Sequence, residues 1–166
     1  MKRLLCFLFA LMLLFLCGCT GSAGEDPAVF YYCRTEYSFG SDSAVIAAEE
    51  RDITGHEGDL QYLLSLYLVG PLDEELESPF PSRTKVLSVL QENDTILLEI
   101  TDCSNLLSDV HFSLGCACLA MTTLDLTHAA QVTIISGEET VTLNPDSLLL
   151  YDNAIPTETS PMEDPR

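Results

Sequence analysis

Residues 84–101 read TKVLSVLQENDTILLEIT, two runs rich in aliphatic and branched side chains on either side of Asn93 and Asp94. Branched residues suit a pleated strand, and Asn and Asp suit the tight reversal between two strands, so the stretch predicts a β-hairpin. Such a pair has an apolar face that needs a second layer, and the flanking sequence must supply it.

Immediately upstream, GDLQYLLSLYLVGP at 58–71 changes period. Leu60, Leu63, Leu64, Tyr67 and Leu68 fall at i, i+3, i+4, i+7 and i+8, which lines one face of a helix capped by Asp59 and stopped by Gly70 and Pro71. Downstream, Val110, Leu114, Ala117 or Cys118, Met121 and Leu124 restore helical spacing between residues 109 and about 127. Ser108 is placed to cap this second helix, and Asp109 lies in its first turn beside the positive end of the dipole. QVTIIS at 131–136 and TVTL at 140–143 enclose a Gly-Glu-Glu turn and predict a second hairpin.

At the front, VFYYCR at 29–34 reads as a strand, and SAVIAAEERDI at 43–53 holds another beyond the turn-like SFGSDS. DEELE at 73–77 reads as a solvated loop. The expected order is β-β-α-β-β-α-β-β. The fold class is therefore α+β, a two-layer mixed sandwich with both helices packed on one sheet.

Together, LLSLYLVGP, FPSRTKVLSV, NDTILLEIT, the second helix and QVTIISGEE resemble the sporulation and germination domain called GerMN, from about residue 29 to 143. Phe80-Pro81-Ser82-Arg83 lacks the glycine that members commonly place before the Thr-Lys strand, and Ile100-Thr101 replaces their usual Leu-Ser ending. The resemblance implies a non-catalytic binding or assembly module of a Gram-positive envelope, in members linked to spore formation or germination.

The amino terminus addresses the chain to a membrane. Lys2 and Arg3 precede an apolar run at 4–16, shorter than the roughly 20 residues of a spanning helix and suited to the h-region of an export signal. LCGC at 16–19 resembles the lipobox of bacterial lipoproteins, with Cys17 where a small residue is usual. That resemblance implies cleavage before Cys19 and palmitate-type acyl chains on its thiol, mooring the protein to the outer face of the cytoplasmic membrane. Two chains suffice for stable anchoring, at about 0.8 kcal/mol per buried methylene. The alternative is a secreted protein cut after Ala23, where Gly21 and Ala23 satisfy the small-residue rule. The domains read as signal peptide 1–18, flexible tether 19–27, GerMN-like body 28–152 and disordered acidic, proline-containing tail 153–166.

Loss of the leader removes Lys2 and Arg3 and takes the formal charge from −19 to −21. So negative a surface repels nucleic acid and anionic lipid heads; its first reading is carboxylates that keep an exported protein soluble, and the alternative is a field that recruits cations or a basic protein face. Besides Cys19, four cysteines remain in the body, Cys33, Cys103, Cys116 and Cys118, and in an oxidising compartment they allow three full pairings. A bridge between Cys33 and Cys103 is one candidate among these pairings. Cys116 and Cys118, two apart on a helix, point away from each other and read as small buried hydrophobes rather than joint metal ligands.

No catalytic pattern competes. GSDSA at 40–44 is not a nucleophile elbow, His56, His111 and His128 are scattered, HEGD at 56–59 lacks a zincin's second histidine, and no glycine loop cradles phosphate. No enzyme activity, cofactor or metal site is expected. The partners implied are the bilayer, through the Cys19 acyl chains, and another envelope or sporulation protein. The alternative is an acidic lipoprotein that binds a metal or solute.

Overall fold

The computed structural model describes residues 27–36 and 44–148. The leader, Cys19, nearly all of the tether, the turn at 38–43 and the acidic tail lie outside the described residues. The strands are β1 (Ala28–Arg34), β2 (Ile46–Arg51), β3 (Leu76–Glu77), β4 (Val86–Glu92), β5 (Thr95–Ile100), β6 (Gln131–Ser136) and β7 (Glu139–Leu143), and the helices are α1 (Leu60–Val69) and α2 (Asp109–Thr127).

The α+β class holds, and both helices start where their caps predict. Asp59 accepts a hydrogen bond from the Tyr62 N–H at 3.0 Å, and Ser108 accepts from the His111 N–H. Both expected hairpins form. β4 and β5 turn through Asn93, a non-glycine residue in the left-handed region at φ 54°, and β6 and β7 turn through Gly137 at φ 63°. A side chain at position 137 would also meet a wall, because a Cβ there would stand 2.7 Å from Asp102 Cγ.

Two expectations are corrected. The strands form two sheets rather than one: a three-stranded sheet in the order β2-β1-β3 and a four-stranded sheet in the order β4-β5-β6-β7. The two hairpins join because β5 runs parallel to β6, with α2 as the crossover that a parallel pair requires. The Asp94 carbonyl, at the first hairpin's turn, accepts from the Ala130 and Gln131 N–H groups and aligns the start of β6. The second correction concerns DEELE. Leu76 and Glu77 leave the loop to pair with Arg34 and Cys33, and Leu76 is buried. One apolar residue with a free strand edge beside it suffices to order part of an acidic run.

Helix α2 joins the two sheets, touching β1 of one and β6 of the other. Its buried residues include Phe112, Cys116, Cys118, Leu119, Thr122, Thr123 and Leu124. At 100° per residue they cover roughly 240° of the circumference, far more than one amphipathic stripe. Such a helix is apolar enough to cross a bilayer by length and composition, but here that apolarity serves burial between two sheets. Gly115 lets it come close: a Cβ there would stand 3.1 Å from the Phe80 ring. One core results, with Phe30, Tyr32, Leu64, Tyr67, Ile96, Leu98, Leu119 and Ile134 at its centre.

Candidate functional site

The four-stranded sheet has one covered and one open face. Reading the register across it, Val89, Leu98, Ile134 and Val141 form one inward row, and Leu98 and Ile134 are fully buried. The next row, Leu90, Leu97, Thr133 and Thr142, points the other way. Beside it run Ser88, Glu99, Ile135 and Thr140. Leu90 is 52% exposed, and Leu97, Thr133 and Ile135 are half-buried. This outward surface bears little charge in a chain whose formal charge is −19, with Glu99 its one carboxylate among these eight residues.

Side-chain pairs across the strands tie this face together. The Thr133 and Thr142 hydroxyls meet at 3.0 Å, and the Ser88 hydroxyl donates to Glu99 Oε2 at 3.1 Å. Such cross-strand pairs each contribute up to about 1 kcal/mol to a sheet. A bulge at Leu87, which the register skips between Val86 and Ser88, bends edge strand β4. Leu87 is itself 52% exposed, so the apolar surface continues around that edge.

A second constellation lies where β2 meets the end of α1. The Arg51 guanidinium lies over the rings of Phe30 and Tyr32, at 5.1 and 5.6 Å from their centroids. It donates from Nε to Glu49 Oε1 at 2.5 Å and from its terminal nitrogen to the Gly70 carbonyl at 2.6 Å. The other Glu49 oxygen accepts from the Leu72 and Asp73 N–H groups. Burial penalises the charged carboxyl, but these two N–H groups and the guanidinium together hold Glu49 below its ordinary range. The cluster locks the Gly70-Pro71 exit of α1 onto β2. Both Glu49 oxygens, Arg51 Nε and one of its terminal nitrogens have protein partners, so it is a structural clamp.

The other sequence-singled residues are dispersed. His56 stacks on Tyr62 at 3.9 Å, His111 Nδ1 meets the Ser108 hydroxyl at 2.6 Å, and His128 ends α2 in the left-handed region. A hollow of about 380 Å³ between the starts of α1 and the end of α2 is lined by Leu60, Leu63, Leu126, Gln91, Glu57 and Thr127, among others, with no histidine, cysteine or basic side chain. Among the described residues, no group of three or more His, Cys, Asp or Glu side chains is placed to hold a metal ion. Most of GSDSA lies outside the described residues.

All four body thiols are buried. Cys33 and Cys103 are both buried and free, and the structure does not join them. The Cys33 sulfur instead faces that of Cys118 at 3.9 Å. Cys103 packs against Ser136, whose hydroxyl accepts from the Cys103 N–H at 3.1 Å. Cys116 and Cys118 are both fully buried, as expected of small hydrophobes, and burial pushes the Cys116 thiol up to about 12. Sequence reasoning missed the Cys33–Cys118 contact and the Glu49–Arg51 clamp because both depend on which helix face meets which strand.

No family model and no curated protein matches the chain. Solved structures similar to it include the following two. One, a crystal structure from Clostridium perfringens described as a lipoprotein, shares 14% identity over 74% of this chain and 92% of its own, with a TM-score of 0.45. The other, the tandem GerMN domains of the sporulation protein GerM from Bacillus subtilis, shares 15% identity over 74% of this chain with a TM-score of 0.49, and this chain spans 43% of it.

Proposed function

We propose that this protein is a lipid-anchored, extracytoplasmic module of the bacterial envelope, which binds another protein and catalyses no reaction. The observation that carries the anchoring is Leu16-Cys17-Gly18-Cys19 at the end of a short apolar run preceded by Lys2 and Arg3. The GerMN-like motifs support an assembly role, and the link of some members of that family to spore formation or germination favours that setting for it. For recognition, the open face of the four-stranded sheet offers Leu90, Leu97 and Ile135 among threonines. In so acidic a chain the fitting occupant is a protein with an apolar centre and a basic rim, which electrostatic complementarity steers into place.

The test is direct. The native protein should partition with detergent, and its amino-terminal peptide should start at Cys19 and carry the mass of a diacylglyceryl group. Cys19→Ala should release the body into the aqueous phase. An unmodified start at Gly24 would establish the secreted alternative instead.

A further inference from the structure

The four body cysteines are unequally placed, and only Cys33 and Cys118 face each other sulfur to sulfur at contact distance, 3.9 Å apart. Their separation is fixed from outside the pair. On α2, Cys118, Thr122 and Asp125 stand at i, i+4 and i+7, one helical face. That face meets β1 three times: at Cys33, at the Tyr31 N–H, which donates to Thr122 Oγ1 at 2.9 Å, and at the Tyr31 hydroxyl, which donates to Asp125 Oδ2 at 2.7 Å. Strand and helix are thus pinned one turn beyond the thiols. The sulfurs need only close from 3.9 Å to a bond of about 2.05 Å, a movement within reach of side-chain rotation.

We infer that Cys33 and Cys118 are a disulfide-forming pair, oxidised on export to staple the three-stranded sheet to the central helix. The oxidising compartment rests on the reading of the protein as exported; the choice of partners rests on the fold alone. The oxidant is an external disulfide, supplied by a thiol–disulfide exchange protein. The Cys33 thiolate attacks one of its sulfurs, forming a mixed disulfide and releasing one thiolate. The Cys118 thiolate then attacks the Cys33 sulfur and expels the second. Two electrons pass to the external disulfide, and the two protons lost by Cys33 and Cys118 end on the released thiols.

Polarity agrees with this order. The hydrogen bond from Cys118 holds the Cys33 thiol below its ordinary value, while the same contact and burial push Cys118 up, so Cys33 is the first nucleophile. Beside Cys33 the strand pairing is short, because β3 contributes only two residues, opposite Cys33 and Arg34, and so short a strand is among the first to open. The bond would close a loop between residues 85 apart, long enough to restrict the unfolded chain strongly.

The experiment uses the full chain in detergent, unfolded, refolded in a glutathione redox buffer, alkylated and digested without reduction. A single crosslinked species joining the β1 and α2 peptides through Cys33 and Cys118 is expected. Reduction should lower the melting temperature by about 10 °C. Cys33→Ala, a volume-tolerable change at a small buried thiol, should abolish that reductant dependence even if it is itself less stable. Alkylation of both Cys33 and Cys118, or a bridge from Cys33 to Cys103, would overturn the inference. Protein alkylated at the moment of cell lysis separates the two readings: a bridge that forms in glutathione but is missing from cells would sink the exported location and leave the pairing standing.

Discussion

The inward row of the four-stranded sheet is aliphatic from end to end, Val89, Leu98, Ile134 and Val141, and its register is held by its own ladder. In the three-stranded sheet the largest fully buried side chains are Phe30 and Tyr32, with the Arg51 guanidinium lying over both rings. That sheet is held by polar contacts with the rest of the molecule: Glu49 grips the α1 exit, the Tyr32 hydroxyl donates to the Tyr67 carbonyl, and Thr122 satisfies the Tyr31 N–H. A sheet with aliphatic pairs can set its own register. One with three strands, the last of two residues, borrows order from its neighbours, and polar contacts supply the specificity.

The largest effect expected from this contrast comes from Leu98→Ala, which empties a fully buried site in the aliphatic row. It should cost about 3–4 kcal/mol. Urea unfolding at several pH values is the measurement, and the loss should be constant with pH because no titratable group is touched.

Arg51→Met should cost about 2–3 kcal/mol, since it removes one partner of a buried pair and leaves the Gly70 carbonyl unpaired. Its signature is in the pH profile. The native Glu49 pKa is depressed below the ordinary 4.5, so its contribution is fully present above that value and is lost as pH falls through the lowered native value. Wild-type stability should therefore decline below pH 4.5 more steeply than that of Arg51→Met. Parallel profiles would show that the clamp does not couple Glu49 to folding, and the contrast between the sheets would fail.

Thr122→Val conserves shape and removes the hydroxyl that accepts from the Tyr31 N–H. A buried donor left unpaired costs about 1–2 kcal/mol. Amide exchange should accelerate at Tyr31 more than at Leu98, because the disturbed seam belongs to the three-stranded sheet. Equal acceleration would mean that both sheets open as one unit.

Legibility in the sequence follows the same division. Both helices, their Asp59 and Ser108 caps and the two hairpins were readable because periodicity and turn chemistry are local. The split into two sheets was not. It depends on β5 choosing β6 rather than β1 as its neighbour, a long-range selection invisible to a window of ten residues. The pairing of β3 rests on Leu76 alone in an acidic run, and Cys33 finds Cys118 rather than Cys103 only once α2 lies against β1. The open sheet face was half legible: alternation in TILLEI and QVTIIS marks an inner and an outer side, but the register that sets Leu90 beside Leu97 and Thr133 is a property of the assembled sheet.

The smallest expected effect on folding is the most informative about function. Leu90→Thr replaces a 52% exposed leucine on an edge strand with a residue that fits a pleated surface equally well, so stability should change by no more than about 0.5 kcal/mol. Affinity should respond differently. An apolar side chain near the centre of a desolvated patch carries binding free energy out of proportion to its area, and its truncation commonly costs more than 1 kcal/mol. A photocrosslinker introduced at Thr133, on the same row, should therefore trap a specific envelope protein in wild type and lose it in Leu90→Thr, while Leu98→Ala at a temperature where it remains folded should keep it. Trapping that survives Leu90→Thr would move recognition from this face to the strand edges, where main-chain pairing tolerates a change of side chain.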